Sequence, residues 1–220
     1  MNDFKGIKAI IFDMDGVLLD TESISDTTWI LAAKEFKIDI TKNIMDECRG
    51  QNRNDTITAL KKNYGEDFDA FSFLKRTSDF FSEIEKTKGI KTMFYAKEAL
   101  ELLKDSYRIS LASSTRMEKV SRQLENAGLL KYFETISTGD MVEHSKPAPD
   151  IYLMAAKSLN LKSEDCLAVE DSPNGIKSAV KAGMRTAMIP DRIQPDEELR
   201  KTVDFIFPNL KELCEILKKS

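Results

Sequence analysis

The chain has 220 residues and a formal net charge of −4, with 33 Lys and Arg against 37 Asp and Glu. That length holds one large domain with a small insert and a well-buried core. The acidic balance, without a basic stripe, argues against a nucleic-acid partner, and no run approaches the ~20 apolar residues of a membrane span.

The first strand-like run covers residues 7–13, Ile-Lys-Ala-Ile-Ile-Phe-Asp. From residue 18 to 92 there is no convincing strand, only amphipathic helical patterns. Trp29, Leu31, Ala32 and Phe36 fit one helical face, and Ile57, Leu60 and Lys61 suggest another. Phe68, Phe71, Leu74, Phe80, Phe81 and Ile84 supply a third apolar set. Strands then recur at 108–113, 135–138, 166–170 and 186–189, with a weaker one at 205–207. Helices are expected at 97–104, 117–127, 149–159, 173–182 and 210–217. Near-continuous apolar strands alternating with helices predict an α/β fold with a doubly wound parallel sheet, buried on both faces. The helical block reads as an inserted α-helical cap. The expected division is a core of residues 1–17 and 93–220, with a cap of 18–92 over the carboxyl ends of the strands, where such sheets bind ligands.

Cys48, Cys166 and Cys214 are far apart and show no metal-ligand spacing. With no leader-like apolar stretch near Asp3, they read as reduced thiols of a cytoplasmic protein. Nothing in the pattern demands more than a monomer.

Four segments, each near the end of a strand-like run or in the loop after one, carry the chemistry. The first run stops at Asp13 and Asp15, followed by Gly16; the others end in Ser113-Ser114-Thr115, Ser145-Lys146-Pro147 and Glu170-Asp171-Ser172. An acid pair, hydroxyls, a lysine and a second acid pair together suit phosphoryl transfer with a divalent metal. Asp13 is the expected nucleophile. In an extended strand Asp15 shares its face, which suits a general acid for the leaving oxygen and then a general base. Two carboxylates would repel a phosphate, and Mg²⁺ resolves that repulsion. Asp13, the main-chain carbonyl of Asp15, Glu170 and Asp171 are its expected ligands. Lys146 offers fixed positive charge. The Ser113 hydroxyl and the Ser114 N–H, close to a helix start, are expected to hold phosphate. Taken singly, each segment has a plain structural reading as a turn, a helix cap or a surface lysine.

The segments FDMDGVLLDTE (12–22), LASSTR (111–116), SKPAPDIY (145–152) and VEDSPNGIKSAVKAGM (169–184) resemble the haloacid dehalogenase-like hydrolase superfamily, in particular its β-phosphoglucomutase-like branch. The resemblance runs nearly end to end. It implies a Rossmann-like core with a helical cap, Mg²⁺ as cofactor, Asp13 as nucleophile, Asp15 as acid/base, Ser113 and Lys146 at the phosphate, and Glu170 and Asp171 at the metal. An aspartate at position 15 favours phosphate esters over haloalkanoates or phosphonates. In the cap, Arg49-Gly50 and Arg53 are similar to the family's substrate-contacting loop, and Asp20 and Thr21 are further candidates for substrate contact. Two features depart from the branch. Ser25 stands near the position of a histidine in the phosphoglucomutases, and Phe94-Tyr95-Ala96 replaces the usual Pro-Gly before the first helix after the cap. The expected activity is hydrolysis of a small phosphate ester, a sugar phosphate for preference. A phosphomutase is the alternative, and a non-catalytic binding protein on the same fold is the rival from another class.

Overall fold

The computed structural model describes residues 4–49 and 53–218, so Gly50 lies outside the described residues. Strand β1 (Ala9–Phe12) is followed by helices α1 (Thr21–Phe36), α2 (Lys42–Cys48), α3 (Arg53–Tyr64) and α4 (Ala70–Lys88). Then come α5 (Ala96–Leu103), β2 (Arg108–Ser113), α6 (Met117–Asn126), β3 (Thr135–Thr138), α7 (Asp150–Ser158) and β4 (Cys166–Glu170). The chain finishes with α8 (Pro173–Lys181), β5 (Arg185–Met188), α9 (Glu197–Thr202), β6 (Phe205–Ile206) and α10 (Leu210–Leu217). It divides into two compact units, Thr21–Ile90 and the remainder.

The larger unit is a six-stranded sheet of order β3-β2-β1-β4-β5-β6, parallel throughout. This is the doubly wound arrangement, and its strand order reverses between β1 and β4, where a crevice opens beyond the carboxyl ends. Register aligns those ends. Phe12 pairs with Leu111 on one side and Val169 on the other, so the residues just after Phe12, Leu111 and Val169 emerge together. Strands β1 and β4 are buried along their whole length, which explains their unbroken apolar runs. Helix α7 packs on this sheet through Ile151, Tyr152, Ala155 and Ala156, against Ile11, Ala112 and Ala168. Each fully buried large side chain there, such as Ile11 or Ile151, contributes roughly 1.5–3 kcal/mol, and the alanines less.

The chain leaves the sheet unit through a tight turn. The amides of Leu18 and Leu19 both donate to Met14 O, and Gly16 N donates to Leu19 O. Leu18 O then accepts from Met93 N, and Asp20 N donates to Lys91 O.

The helical unit is organised around Phe73, which is fully buried. Trp29 and Phe36 meet it edge-on, at centroid distances of 5.4 and 5.5 Å, and Phe68 lies 5.8 Å away. Quadrupolar ring contacts of this kind favour one packing arrangement over its neighbours. Phe71 is not part of that core. It is 58% exposed, because one step along helix α4 separates it from the apolar face that Ala70, Phe73 and Leu74 share. Helix starts follow side-chain capping: Asp69 accepts from Ser72 N ahead of α4, and Ser172 accepts from Gly175 N ahead of α8.

Candidate active site

Lys146 is the hub of the strand-end cluster. Its ammonium donates to Asp13 Oδ1 at 2.5 Å, to Glu170 Oε1 at 2.6 Å and to Ala112 O at 3.0 Å. Its three protons are thereby placed, with 8% of its side chain exposed. β1 supplies Asp13, whose own amide donates to Val169 O and so continues the ladder. β2 supplies Ala112, and β4 supplies Glu170. The lysine reaches them from the loop before α7, where the Lys146–Pro147 peptide is cis.

Glu170 is enclosed by donors. Oε1 accepts from Lys146 and from Tyr152 Oη at 2.8 Å; Oε2 accepts from Asp171 N, Ser172 N and Ser172 Oγ at 3.2, 3.3 and 3.0 Å. With 1% of the side chain exposed, that full set of partners makes a buried carboxylate tolerable. Gly175 admits it, since a Cβ there would overlap the Glu170 carboxyl.

Asp15 stands on the other flank. Its Oδ2 accepts from Thr115 Oγ1 at 3.1 Å and from Ser113 Oγ at 3.4 Å, while Ser113 Oγ accepts from Thr115 N. Ser114 is exposed in the same turn, before α6. Gly16 takes φ +78°, and a Cβ on it would strike the Asp171 carboxylate. The turn that carries Asp15 and the acid after β4 are thus in close approach.

The cluster is short of positive charge. Burial pushes the Asp13 carboxyl up to about 8 against the pull of Lys146, and Glu170 and Asp15 add to the rise. Lys146 is held above its ordinary value: its own burial opposes the charge, but Asp13 and Glu170 outweigh it. Asp13, Glu170 and Asp171 each offer an oxygen within 4.8 Å of the others. An all-oxygen, anionic donor set of this size fits a hard divalent cation, and a cation would draw Asp13 back towards its ionised form.

The other residues considered for substrate contact are placed differently. Asp20 ends the sheet unit, and Thr21 opens α1 with its hydroxyl buried. Arg49 is taken up by acids: Nε donates to Asp46 at 2.9 Å, Nη1 to Glu22 at 2.5 Å and Nη2 to Asp26. Arg53 starts α3 exposed, its guanidinium 4.6 Å from the Phe71 ring centroid. With Glu22, Ser25, Asp26 and Trp29, both arginines line a cavity of about 360 Å³ within the helical unit. His144 is an exposed loop residue beside Asp150, 3.1 Å away.

Sequence reasoning missed three partners. Thr115 lay inside a quoted segment but was not given its contact to Asp15. Ser172 reads as a helix cap and also serves Glu170. Tyr152 occupies an apolar helical position, and nothing local marks its hydroxyl as polar machinery.

Comparison with known proteins gives the family. The family model for haloacid dehalogenase-like hydrolase matches residues 10–189. A phosphorylated carbohydrates phosphatase of Thermotoga maritima is 31% identical over 184 residues, 81% of this chain and 82% of its own. The β-phosphoglucomutase of Bacillus subtilis is 27% identical over 186 residues, 81% of each chain. A crystal structure of a haloacid dehalogenase-like protein from Agrobacterium tumefaciens superposes with a TM-score of 0.83 at 23% identity, over 97% of this chain and 98% of that one, and so shares the fold. The chain belongs to the haloacid dehalogenase-like hydrolases, in their β-phosphoglucomutase-like branch.

Proposed function

We propose that the protein is a Mg²⁺-dependent phosphatase that releases phosphate from a small phosphorylated metabolite, with sugar phosphates as the first class to test. The observation that carries this reading is the meeting of Asp13, Lys146 and Asp171 at the carboxyl ends of β1 and β4, with Asp15 held beside them by Thr115.

Asp13, Asp171 and the main-chain carbonyl of Asp15 would hold the ion, with Glu170 behind them and already occupied by its own donors. Bound Mg²⁺ would offset the carboxylates and polarise the phosphate oxygens. A carboxylate oxygen of Asp13 attacks phosphorus, the ester P–O bond breaks, and protonated Asp15 gives its proton to the departing alkoxide. Asp15, now ionised, takes a proton from water as that water attacks the aspartyl phosphate, which restores Asp13. Lys146 keeps the attacking carboxylate in place and presents positive charge to the transferring group. Ser113 and the Ser114 N–H contact the phosphate oxygens. Arg53, Asp20 and Thr21 are proposed substrate contacts, whereas Arg49 is committed to Glu22, Asp26 and Asp46. A monomer in the cytoplasm completes the proposal; its three cysteines are buried free thiols.

A panel of phosphate esters assayed for free phosphate tests the reading. Hydrolysis that needs Mg²⁺ and is lost in Asp13→Asn is expected. No release from any ester would overturn it and leave the binding-protein alternative. The relative named as a β-phosphoglucomutase favours a second reading, in which a sugar hydroxyl replaces the water; exchange between sugar 1- and 6-phosphates that depends on a bisphosphate would establish it.

A further inference from the structure

Among the described residues, Tyr152 is the one fully buried phenol whose hydroxyl enters the strand-end cluster. It sits on α7, six positions after Lys146, and is 0% exposed. Its Oη donates to Glu170 Oε1 at 2.8 Å, the same oxygen that accepts from Lys146 at 2.6 Å. The Lys146 ammonium also lies 5.1 Å from the Tyr152 ring centroid. Phenol and ammonium therefore compete for one carboxylate oxygen, and the ammonium has a second carboxylate, Asp13, on its other side at 2.5 Å.

We infer that Tyr152 is a positioning residue for Lys146: by sharing Glu170 Oε1 it keeps the ammonium from settling wholly on Glu170, and so holds positive charge at Asp13 and at the phosphate it attacks. This rests on the phosphatase reading above. The physical reason is the saturation of Glu170. Oε2 is fixed by three donors from the start of α8, so the carboxylate cannot rotate to follow a change in its other partners. If the phenol's proton is removed, only Lys146 remains to satisfy Oε1. A charge-assisted bond shortens and strengthens when it loses its competitor, and the ammonium moves away from Asp13. The ring plays a separate part, since its face is one wall of the ammonium's site.

Tyr152→Phe removes the proton and keeps the ring. The expected result is a fall in kcat of about tenfold or more, a KM for the ester that changes less than threefold, and inhibition by inorganic phosphate weakened at least threefold, because the charge that meets phosphate has moved. A loss of stability alone would lower the melting temperature without shifting the phosphate inhibition constant. Tyr152→Met removes the donor and the ring wall together, so its fall in kcat and its weakening of phosphate inhibition should equal or exceed those of the Phe variant. A cycle with Glu170→Gln adds a further readout: in that background Tyr152→Phe should change kcat by less than twofold, because the shared anion is gone. Full activity with unchanged phosphate inhibition in Tyr152→Phe overturns the inference, as do additive effects in the cycle. These results differ from a failure of the phosphatase reading, which shows as a wild-type protein that hydrolyses no ester.

Discussion

The carboxyl group of Glu170 fills the space in which Gly175 would carry a side chain. Two effects of opposite sign meet in Gly175→Ala. Alanine is the better helix former, by up to about 1 kcal/mol. Against this, overpacking costs roughly 1–3 kcal/mol, and here the displaced group is a buried anion with five hydrogen bonds. We expect a net loss of about 2 kcal/mol in urea unfolding, with a larger relative loss of activity than of stability. A stabilised, fully active variant would mean that Glu170 can move freely.

Asp15→Ala keeps the nucleophile and removes the group that serves both halves of the reaction. Hydrolysis of alkyl esters should fall by about 10²–10⁴, the usual range for general acid–base groups. With an ester whose leaving group needs no proton, the phosphorylated enzyme should accumulate, visible as acid-stable label on the protein after quenching at low pH. Turnover equal to wild type on both kinds of ester would contradict the role given to Asp15.

Mg²⁺ should stabilise the folded protein through Asp13 and Asp171. At a concentration a hundredfold above its dissociation constant the ion adds about 2.7 kcal/mol. For a chain of this size each kcal/mol is worth about 2–4 °C, so the melting temperature should rise by about 5–10 °C and return on chelation. Asp171→Asn should remove most of that rise. An equal rise in the variant would place the ion elsewhere.

Arg49 ties α1 to the end of α2 by way of Glu22, Asp26 and Asp46. Its guanidinium side chain is only 11% exposed, but its partners are 27–38% exposed, which softens the desolvation of the network. Arg49→Ala leaves three carboxylates facing one another and should cost about 1–3 kcal/mol. Arg49→Lys should recover less than half, because one ammonium cannot reproduce three forked contacts. Equal stability of the Lys variant and the wild type, by denaturant melt, would discount the geometry.

Tyr95 adopts φ +65° ahead of α5, at the place where related chains are expected to carry glycine. A left-handed non-glycine residue costs about 1–2 kcal/mol, and glycine gives back roughly half of that through the greater freedom of its unfolded chain. Tyr95→Gly should stabilise the protein by about 0.5–1 kcal/mol. A destabilised variant would show that the tyrosine ring contributes more than the backbone strain removes.

The buried strands were legible, and so was the half-buried edge strand Thr135–Thr138. The spans expected at 108–113, 135–138 and 166–170 coincide with Arg108–Ser113, Thr135–Thr138 and Cys166–Glu170. The first strand was expected at 7–13 and is Ala9–Phe12, although its backbone pairing reaches from Lys8 to Asp13. Helix α9 was missed because its six residues, Glu-Glu-Leu-Arg-Lys-Thr, bury only Leu199 and carry no apolar period. In the site, Asp13 just after a strand and Lys146 in a loop could be named from the sequence as candidates. Tyr152 could not, because its partner Glu170 lies 18 positions away and the helix between them reads as ordinary apolar packing. Arg49 was expected at the substrate, and its ties could not be read from the sequence because Glu22 and Asp26 belong to a different helix.

The chain departs from the sheet unit at Asp20 and re-enters at Lys91, and those two residues are joined by a 2.9 Å backbone hydrogen bond. Exit and return are next-door neighbours, so everything from 21 to 90 hangs on a gap that a short hairpin would also span. Strand register in the remainder is set without the insert's help. A lineage is therefore at liberty to lengthen, trim or exchange that block without rebuilding the sheet.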